Sequence, residues 1–162
     1  MKKVLVIGVD GLSLELINRW KEELPNLKQI MERGIYGELQ STFPPMTSPA
    51  WNSMFSGKNP AKFGIFDWLA FPFDKERGFR IVNYCDQDSP SLWDILGGCG
   101  IKVGVVNVPT TFPPRRVNGF MVSGGLLTPL YKDVNYTFPM ELKEELNKAL
   151  GGYEILPLTD LN

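Results

Sequence analysis

The sequence predicts an α/β fold in which a mostly parallel sheet is flanked by helices on both faces. Short runs of apolar, β-branched residues are typical of buried strands, and they occur at 3–10, 35–42, 102–108 and 119–125. Segments with a helical apolar pattern lie between and after these runs. Because strands alternate with helices, we expect neighbouring strands to run parallel.

The helical segments are bounded by residues that commonly start or end helices. Ser13 begins the first pattern, Pro25 ends it and opens the second, and Gly34 closes the second. Three further helices are predicted, from about Pro49 to Phe55, within 89–100 and within 138–152.

We expect residues 1–162 to be the N-terminal part of a single α/β domain. Residues from about 66 to 90 are aromatic and have a loop-like pattern, which indicates an excursion from the main fold. The terminal stretch "YEILPLTDLN" suits a strand that a further segment continues. The sequence therefore predicts a fragment of a longer chain.

Composition excludes several kinds of site. The chain has no histidine, which excludes Ser-His and Cys-His catalysis and removes the commonest transition-metal ligand. Cys85 and Cys99 lack CxxC spacing, so we expect two buried free thiols in a reducing compartment, with a single disulfide as the alternative. The net charge of −1 and the absence of a basic block predict no nucleic-acid partner.

The N-terminal apolar run predicts neither a signal peptide nor a membrane span. It extends only from Val4 to Val9, without a small-residue cleavage site after it. No stretch approaches the roughly 20 apolar residues of a membrane span. We therefore expect a cytoplasmic protein with no membrane partner.

Asp10 ends the first predicted strand, which is where ligands gather in open α/β sheets. Asp-Gly is a common turn pair, so Asp10 followed by Gly11 also fits a purely structural turn. Both interpretations, a metal ligand and a turn residue, stay open on the residues alone. A dinucleotide-binding loop is excluded because the GxGxxG spacing is absent.

Thr47 follows the second predicted strand in "FPPMTSPAWNSMFSGKNP" and precedes a predicted helix. One interpretation is a helix cap, since Thr and Ser hydroxyls commonly satisfy the first N–H groups of a helix. The other is a nucleophile in the positive field of the helix start. Without a histidine, a divalent metal is the remaining strong activator of the hydroxyl.

The segments "VLVIGVDGL", "PNLKQIMERG" and "STFPPMTSPAWNSMFSGKNPAKFGI" resemble the type I phosphodiesterase/nucleotide pyrophosphatase branch of the alkaline phosphatase superfamily. "LWDILGGCGIKVGVVNVPTTFPP" and "VNGFMVSGGLLTP" resemble its microbial phosphohydrolase and phosphomutase-like members. The resemblance extends from Lys3 to about Pro129. It implies that the chain is part of a phosphohydrolase catalytic domain.

The resemblance implies a site with two divalent metals, usually Zn²⁺, with Mn²⁺ possible. Asp10 would be a metal ligand, and Thr47 would both bind metal and attack phosphorus, giving a covalent phospho-enzyme that water hydrolyses. The remaining ligands would lie outside this chain, so we expect the chain to be inactive alone. The implied substrate is a small phosphoester or a nucleotide-like molecule, and the oligomeric state is not implied.

Three positions depart from the family pattern. Ser48 stands where nucleotide-cleaving members usually have an aromatic residue, and Phe63 stands where many have histidine. Trp68 stands where an asparagine helps to hold the phosphoryl oxygen, beside Asp67. Two alternatives to the hydrolase therefore stay open: a non-catalytic phosphate- or nucleotide-binding module, and a phosphomutase of the same superfamily.

Overall fold

The structure is a computed structural model that describes residues 3–70, 78–131 and 133–155. The chain divides into two compact units, Met1–Ser41 and Thr42–Asn162.

The first unit contains two helices, α1 (Leu14–Trp20) and α2 (Pro25–Arg33). The Leu16 N–H donates to the Ser13 side chain at 3.2 Å, so Ser13 caps α1 at the predicted start of this helix. Pro25 occupies the first turn of α2, where its missing N–H removes no helical hydrogen bond. The two predicted helices of this unit are therefore confirmed.

The predicted strands at 3–10 and 35–42 are wrong, because neither segment forms a strand. Their apolar side chains are exposed, as Val4 at 87% and Leu39 at 93% illustrate. A strand exists only through hydrogen bonds to a neighbouring strand. Within the described residues, the only multi-stranded sheet lies entirely in the second unit. Neither segment therefore pairs with a neighbouring strand among the described residues, despite its apolar pattern.

The second unit contains a three-stranded sheet in the order β1 (Val103–Val108), β2 (Gly119–Ser123) and β3 (Thr137–Phe138). β1 and β2 pair in parallel, as predicted, with Val103 opposite Gly119. β3 pairs antiparallel with β2 and was not predicted.

Helices pack on both faces of this sheet. Adjacent residues of a strand point to opposite faces, and Met121 and Val122 of β2 belong to different core clusters. The Met121 cluster includes Trp93 of α5 (Leu92–Gly98). On the other face, α6 (Leu142–Leu150) packs against the Val122 cluster. The predicted α/β layering is therefore confirmed for this sheet.

Two more α-helices and two 3₁₀ turns complete the described part of the second unit. They are α3 (Thr47–Ser56), α4 (Pro60–Phe63) and the 3₁₀ turns Tyr84–Asp86 and Gly125–Leu127.

The main core cluster is built around Tyr84, Trp93, Val105 and Met121. The Trp93 Nε1–H donates to the Tyr84 hydroxyl at 2.5 Å, and burial raises the pKa of that hydroxyl. The Arg115 guanidinium lies 3.9 Å from the centre of the Tyr84 ring and donates to the Tyr84 carbonyl. The connection that follows β1 is thereby tied to this core.

The segment predicted as an excursion is joined to the fold at both ends. Leu69 and Ile81 form an antiparallel bridge, and the Val82 N–H donates to the Trp68 carbonyl at 2.8 Å. Val82 also packs in a second core cluster with Phe63 and Ile65. The tip of the excursion, residues 71–77, lies outside the described residues.

Both cysteines are free, as predicted. Cys85 and Cys99 are exposed, however, so the expectation that they are buried is wrong. Cys85 is the middle residue of the 3₁₀ turn Tyr84–Asp86, and Cys99 follows the last residue of α5.

A bidentate ion pair at the excursion gives a test of acid stability. The Arg80 guanidinium donates to both carboxylate oxygens of Asp86, at 2.5 and 2.7 Å, and holds the pKa of that carboxyl below its ordinary value. A depressed folded-state pKa gives stability that is complete above the unfolded pKa of about 4 and lost as pH falls through the folded value.

We expect Asp86→Asn to lower the free energy of unfolding by about 1 kcal/mol at neutral pH. The asparagine keeps an oxygen for the Asn83 N–H, so the change isolates the arginine pair. Urea unfolding at neutral and acid pH should show the difference from wild type shrinking as pH falls. Asp88→Asn, at an exposed acid two residues away, serves as the control and should change little. A difference that persists unchanged in acid would contradict the assignment.

Candidate functional site

Thr47 is the first residue of α3, and Met46 occupies the N-cap position. The interpretation of Thr47 as the helix cap is therefore wrong. The helix also begins two residues before the predicted start at Pro49. Proline fits any first-turn position because it needs no N–H acceptor there, so its place in the sequence does not fix the helical start to the residue.

The surroundings of Thr47 suit an anion. First-turn N–H groups of a helix point out of its end, and the helix dipole places partial positive charge there. Met46 contributes no side-chain capping bond to this end. A phosphate group approaching the half-buried Thr47 would meet this positive end of α3.

Ser48 does not offer a surface on which the base of a nucleotide could stack. Its side chain is completely buried, and its Oγ has no hydrogen-bond partner within the described residues. The position where nucleotide-cleaving members usually have an aromatic residue is thus an interior position in this chain.

Asn52 connects α3 to the carboxyl end of β1. Its side-chain amide donates to the Ser48 carbonyl at 2.7 Å and to the Thr110 hydroxyl at 2.9 Å. Asn52 and Thr110 are both buried, at 4% and 3% exposure. Sequence reasoning missed this contact, because the two residues are 58 positions apart and neither belongs to a motif.

The backbone at the carboxyl ends of β1 and β2 is unusual. Asn107 and Thr110 have positive φ angles, of 55° and 63°, which residues other than glycine rarely adopt. The pairing of the two strands is irregular between Val106 and Val108. Bulges and strained residues concentrate near functional sites, so this edge is a candidate region.

Polar side chains hold this edge together. The Gly125 N–H donates to Asn107 Oδ1 at 2.9 Å, and the Gly124 N–H donates to Thr111 Oγ1 at 3.2 Å. The Ser123 hydroxyl donates to the Thr111 carbonyl at 2.8 Å. Backbone groups released from the sheet are therefore satisfied by side chains of the neighbouring strand end.

Asp10 lies in an exposed turn of the first unit, followed by Gly11 with a φ of +68°. A positive φ favours glycine, which explains the Asp-Gly pair as a turn before α1. The role of Asp10 as a metal ligand stays a prediction.

The donor chemistry of the described residues does not complete a metal site. No group of three or more His, Cys, Asp or Glu side chains that could hold a metal occurs in the described ranges. Zinc usually takes four ligands, three of them from protein even in catalytic sites. Of two further acids that the sequence offers as possible ligands, Asp133 is exposed and Asp160 lies outside the described residues. Within the described residues, neither Asp10 nor Thr47 therefore belongs to a side-chain cluster that could hold a metal by itself.

Phe63 and Trp68 have structural surroundings. Phe63 is completely buried in the second core cluster, so an apolar residue at this position contributes packing. Trp68 is half-buried, and its backbone N–H donates to Asp67 Oδ1 at 2.5 Å. Neither Phe63 nor Trp68 is chemically equivalent to the histidine or asparagine that the family pattern has at these positions.

Gly124 gives a test of the strand-end geometry. A Cβ at this position would overlap the Asn107 backbone, which has no flexible side chain to move aside. We expect Gly124→Ala to destabilise the protein by about 2 kcal/mol or more, as measured by urea unfolding. Gly98→Ala is the control, because a Cβ there meets no atom within 4 Å. Equal stability of the two variants would contradict the close approach of the strand ends.

Comparison with known proteins gave one family match. The model of a family described as type I phosphodiesterase / nucleotide pyrophosphatase, part of the alkaline phosphatase superfamily, matches residues 4–159. Neither the curated proteins nor the solved structures gave a match to the chain.

Proposed function

Because the chain belongs to the type I phosphodiesterase/nucleotide pyrophosphatase family, we propose that it is the N-terminal part of a metal-dependent phosphoester hydrolase with Thr47 as its nucleophile. The observation that carries the proposal is the place of Thr47 in the first turn of α3. That helix is hydrogen-bonded through Asn52 to the carboxyl end of β1, where ligands bind in α/β sheets.

The proposed chemistry is an in-line displacement at phosphorus. The Thr47 Oγ–phosphorus bond forms as the bond to the leaving oxygen breaks, and the proton of the hydroxyl passes to solvent. Water then hydrolyses the phosphothreonine, which restores the hydroxyl and releases the phosphoryl product. The positive end of α3 favours the negative charge that develops on the phosphoryl oxygens.

The proposed metals are two divalent ions, Zn²⁺ or Mn²⁺, with Asp10 and Thr47 as ligands from this chain. When bound, such an ion lowers the pKa of a hydroxyl and stabilises negative charge on a phosphoryl group. We propose that the other ligands lie outside this chain, which contains no histidine. The chain alone would then be inactive.

A second candidate is a module that binds phosphate or nucleotide without catalysis. The incomplete donor set favours it, as does the buried Phe63. Such a module would keep the anion-binding start of α3 and would need no metal.

The proposed substrate is a small phosphoester or nucleotide-like molecule, the class on which the family acts. The described helices include none that is both long and apolar enough to cross a membrane. A cytoplasmic location is part of the proposal.

Substitution of Thr47 tests the nucleophile. With bis-p-nitrophenyl phosphate and added Zn²⁺ or Mn²⁺, we expect Thr47→Ala to lower the turnover of a longer chain that carries the remaining ligands at least a hundredfold, because no hydroxyl remains to attack phosphorus. Thr47→Ser should retain measurable turnover. Ser56→Ala, at the other end of α3, is the control and should leave turnover unchanged.

The same assay separates the candidates. Metal-dependent turnover by this chain that Thr47→Ala leaves intact would refute the nucleophile. Absence of turnover here, with turnover by a longer chain carrying the remaining ligands, would support the fragment proposal. A longer chain that binds phosphate without turnover would support the binding module.

Asp10 is tested by metal binding rather than by activity. We expect Asp10→Asn to weaken Zn²⁺ or Mn²⁺ binding roughly tenfold in isothermal titration, because a neutral amide is a poorer ligand than a carboxylate. Glu15→Gln, at an exposed acid in the first turn of α1, is the matched control. Equal weakening by both substitutions would indicate general electrostatic attraction and would contradict a specific role for Asp10.

A further inference from the structure

We propose that Asn52 is a positioning residue, which fixes the first turn of α3 against the connection between β1 and β2 and thereby sets the orientation of Thr47. This inference rests on the proposed role of Thr47 as nucleophile. Asn52 itself would touch neither substrate nor metal.

The amide of Asn52 has its donor capacity fully used. Its Nδ2 carries two hydrogens, and two acceptors lie within reach, the Ser48 carbonyl at 2.7 Å and Thr110 Oγ1 at 2.9 Å. One bond goes to the first turn of its own helix, and the other leaves the helix. A single buried side chain thus joins the turn that carries Thr47 to a different part of the fold.

Thr110 is a suitable fixed point for this bond. Its hydroxyl donates to the Pro109 carbonyl at 2.6 Å, so its oxygen accepts the hydrogen from Asn52. Its φ of 63° is a conformation that a β-branched residue adopts only when the surrounding structure holds it. The acceptor is therefore held in place by the backbone before Asn52 reaches it.

The C-terminal half of α3 is held by packing against the main core cluster. Phe55 packs against the main core cluster, with its ring centre 5.0 Å from that of Trp93. The first turn receives no side-chain cap from Met46. The two side-chain hydrogen bonds of Asn52 reach both the first turn of α3 and another element.

Misplacement of a nucleophile by about 1 Å can lower a reaction rate a hundredfold. The positioning role therefore predicts a loss in kcat with little change in KM. It also predicts a change at Thr47 that is visible without catalysis, so that the inference can be tested even if this chain lacks the metals for turnover.

The test uses the full chain with ¹³C-labelled threonine methyl groups, observed by NMR. Asn52→Leu and Thr110→Val remove the hydrogen bond from either side while keeping the side-chain volume. Thr110→Ser keeps the hydroxyl that accepts from Asn52. Asn59→Leu, at the exposed cap position of α4, is the matched control. The Thr137 signal from β3 reports whether each variant is folded.

We expect the Thr47 methyl signal to shift or broaden in both Asn52→Leu and Thr110→Val, with Thr137 unchanged, and to return to the wild-type position in Thr110→Ser. An unchanged Thr47 signal in either folded variant would overturn the inference. So would a change that Thr110→Ser does not restore. Failure of the proposed nucleophile is a separate result, because it would appear as turnover that persists in Thr47→Ala.

Discussion

The parallel pairing of β1 with β2 is the constraint on which the candidate site depends. Residues 109–118 must carry the chain from the carboxyl end of β1 back to the amino end of β2. The connection must run back along β1, which is about 20 Å long, whereas a helix formed by residues 109–118 would be only about 15 Å long. The connection therefore cannot be a crossover helix, and the chain must reverse at once. The positive φ angle of Thr110 falls in this connection, and that of Asn107 falls at the register irregularity near the end of β1.

The tight reversal also explains why the strand ends are rich in polar contacts. Backbone groups that leave the ladder need partners, and the side chains of Asn107 and Thr111 accept from Gly125 and Gly124. Asn52 extends this polar layer to α3. The same hydrogen bonds that satisfy a strained turn thus tie the helix bearing Thr47 to the sheet. In this fold, stability of the strand ends and placement of the helix start have a common physical origin.

The sequence pattern correctly predicted the elements whose formation depends mainly on local interactions. Runs with strand or helix periodicity correctly located β1, β2, α1 and α2, and α1 begins directly after Ser13 as predicted. Residues 3–10 and 35–42 were also predicted as strands but form none, since pairing depends on a partner elsewhere in the chain. β3 is two residues long, too short for a period to be recognised. The bond from Asn52 to Thr110 joins residues with no shared motif, so only the folded chain reveals it.

The start of α3 separates two roles that the sequence allowed Thr47 to combine. A capping threonine commits its oxygen to an N–H of its own helix, which occupies a lone pair and fixes the side chain toward the helix axis. Met46 holds the cap position and offers no such bond, so the helix starts without a side-chain cap. Stability lost at this end is offset by the contacts of Asn52 and Phe55 further along α3. A nucleophilic role for Thr47 would therefore not compete with a capping role.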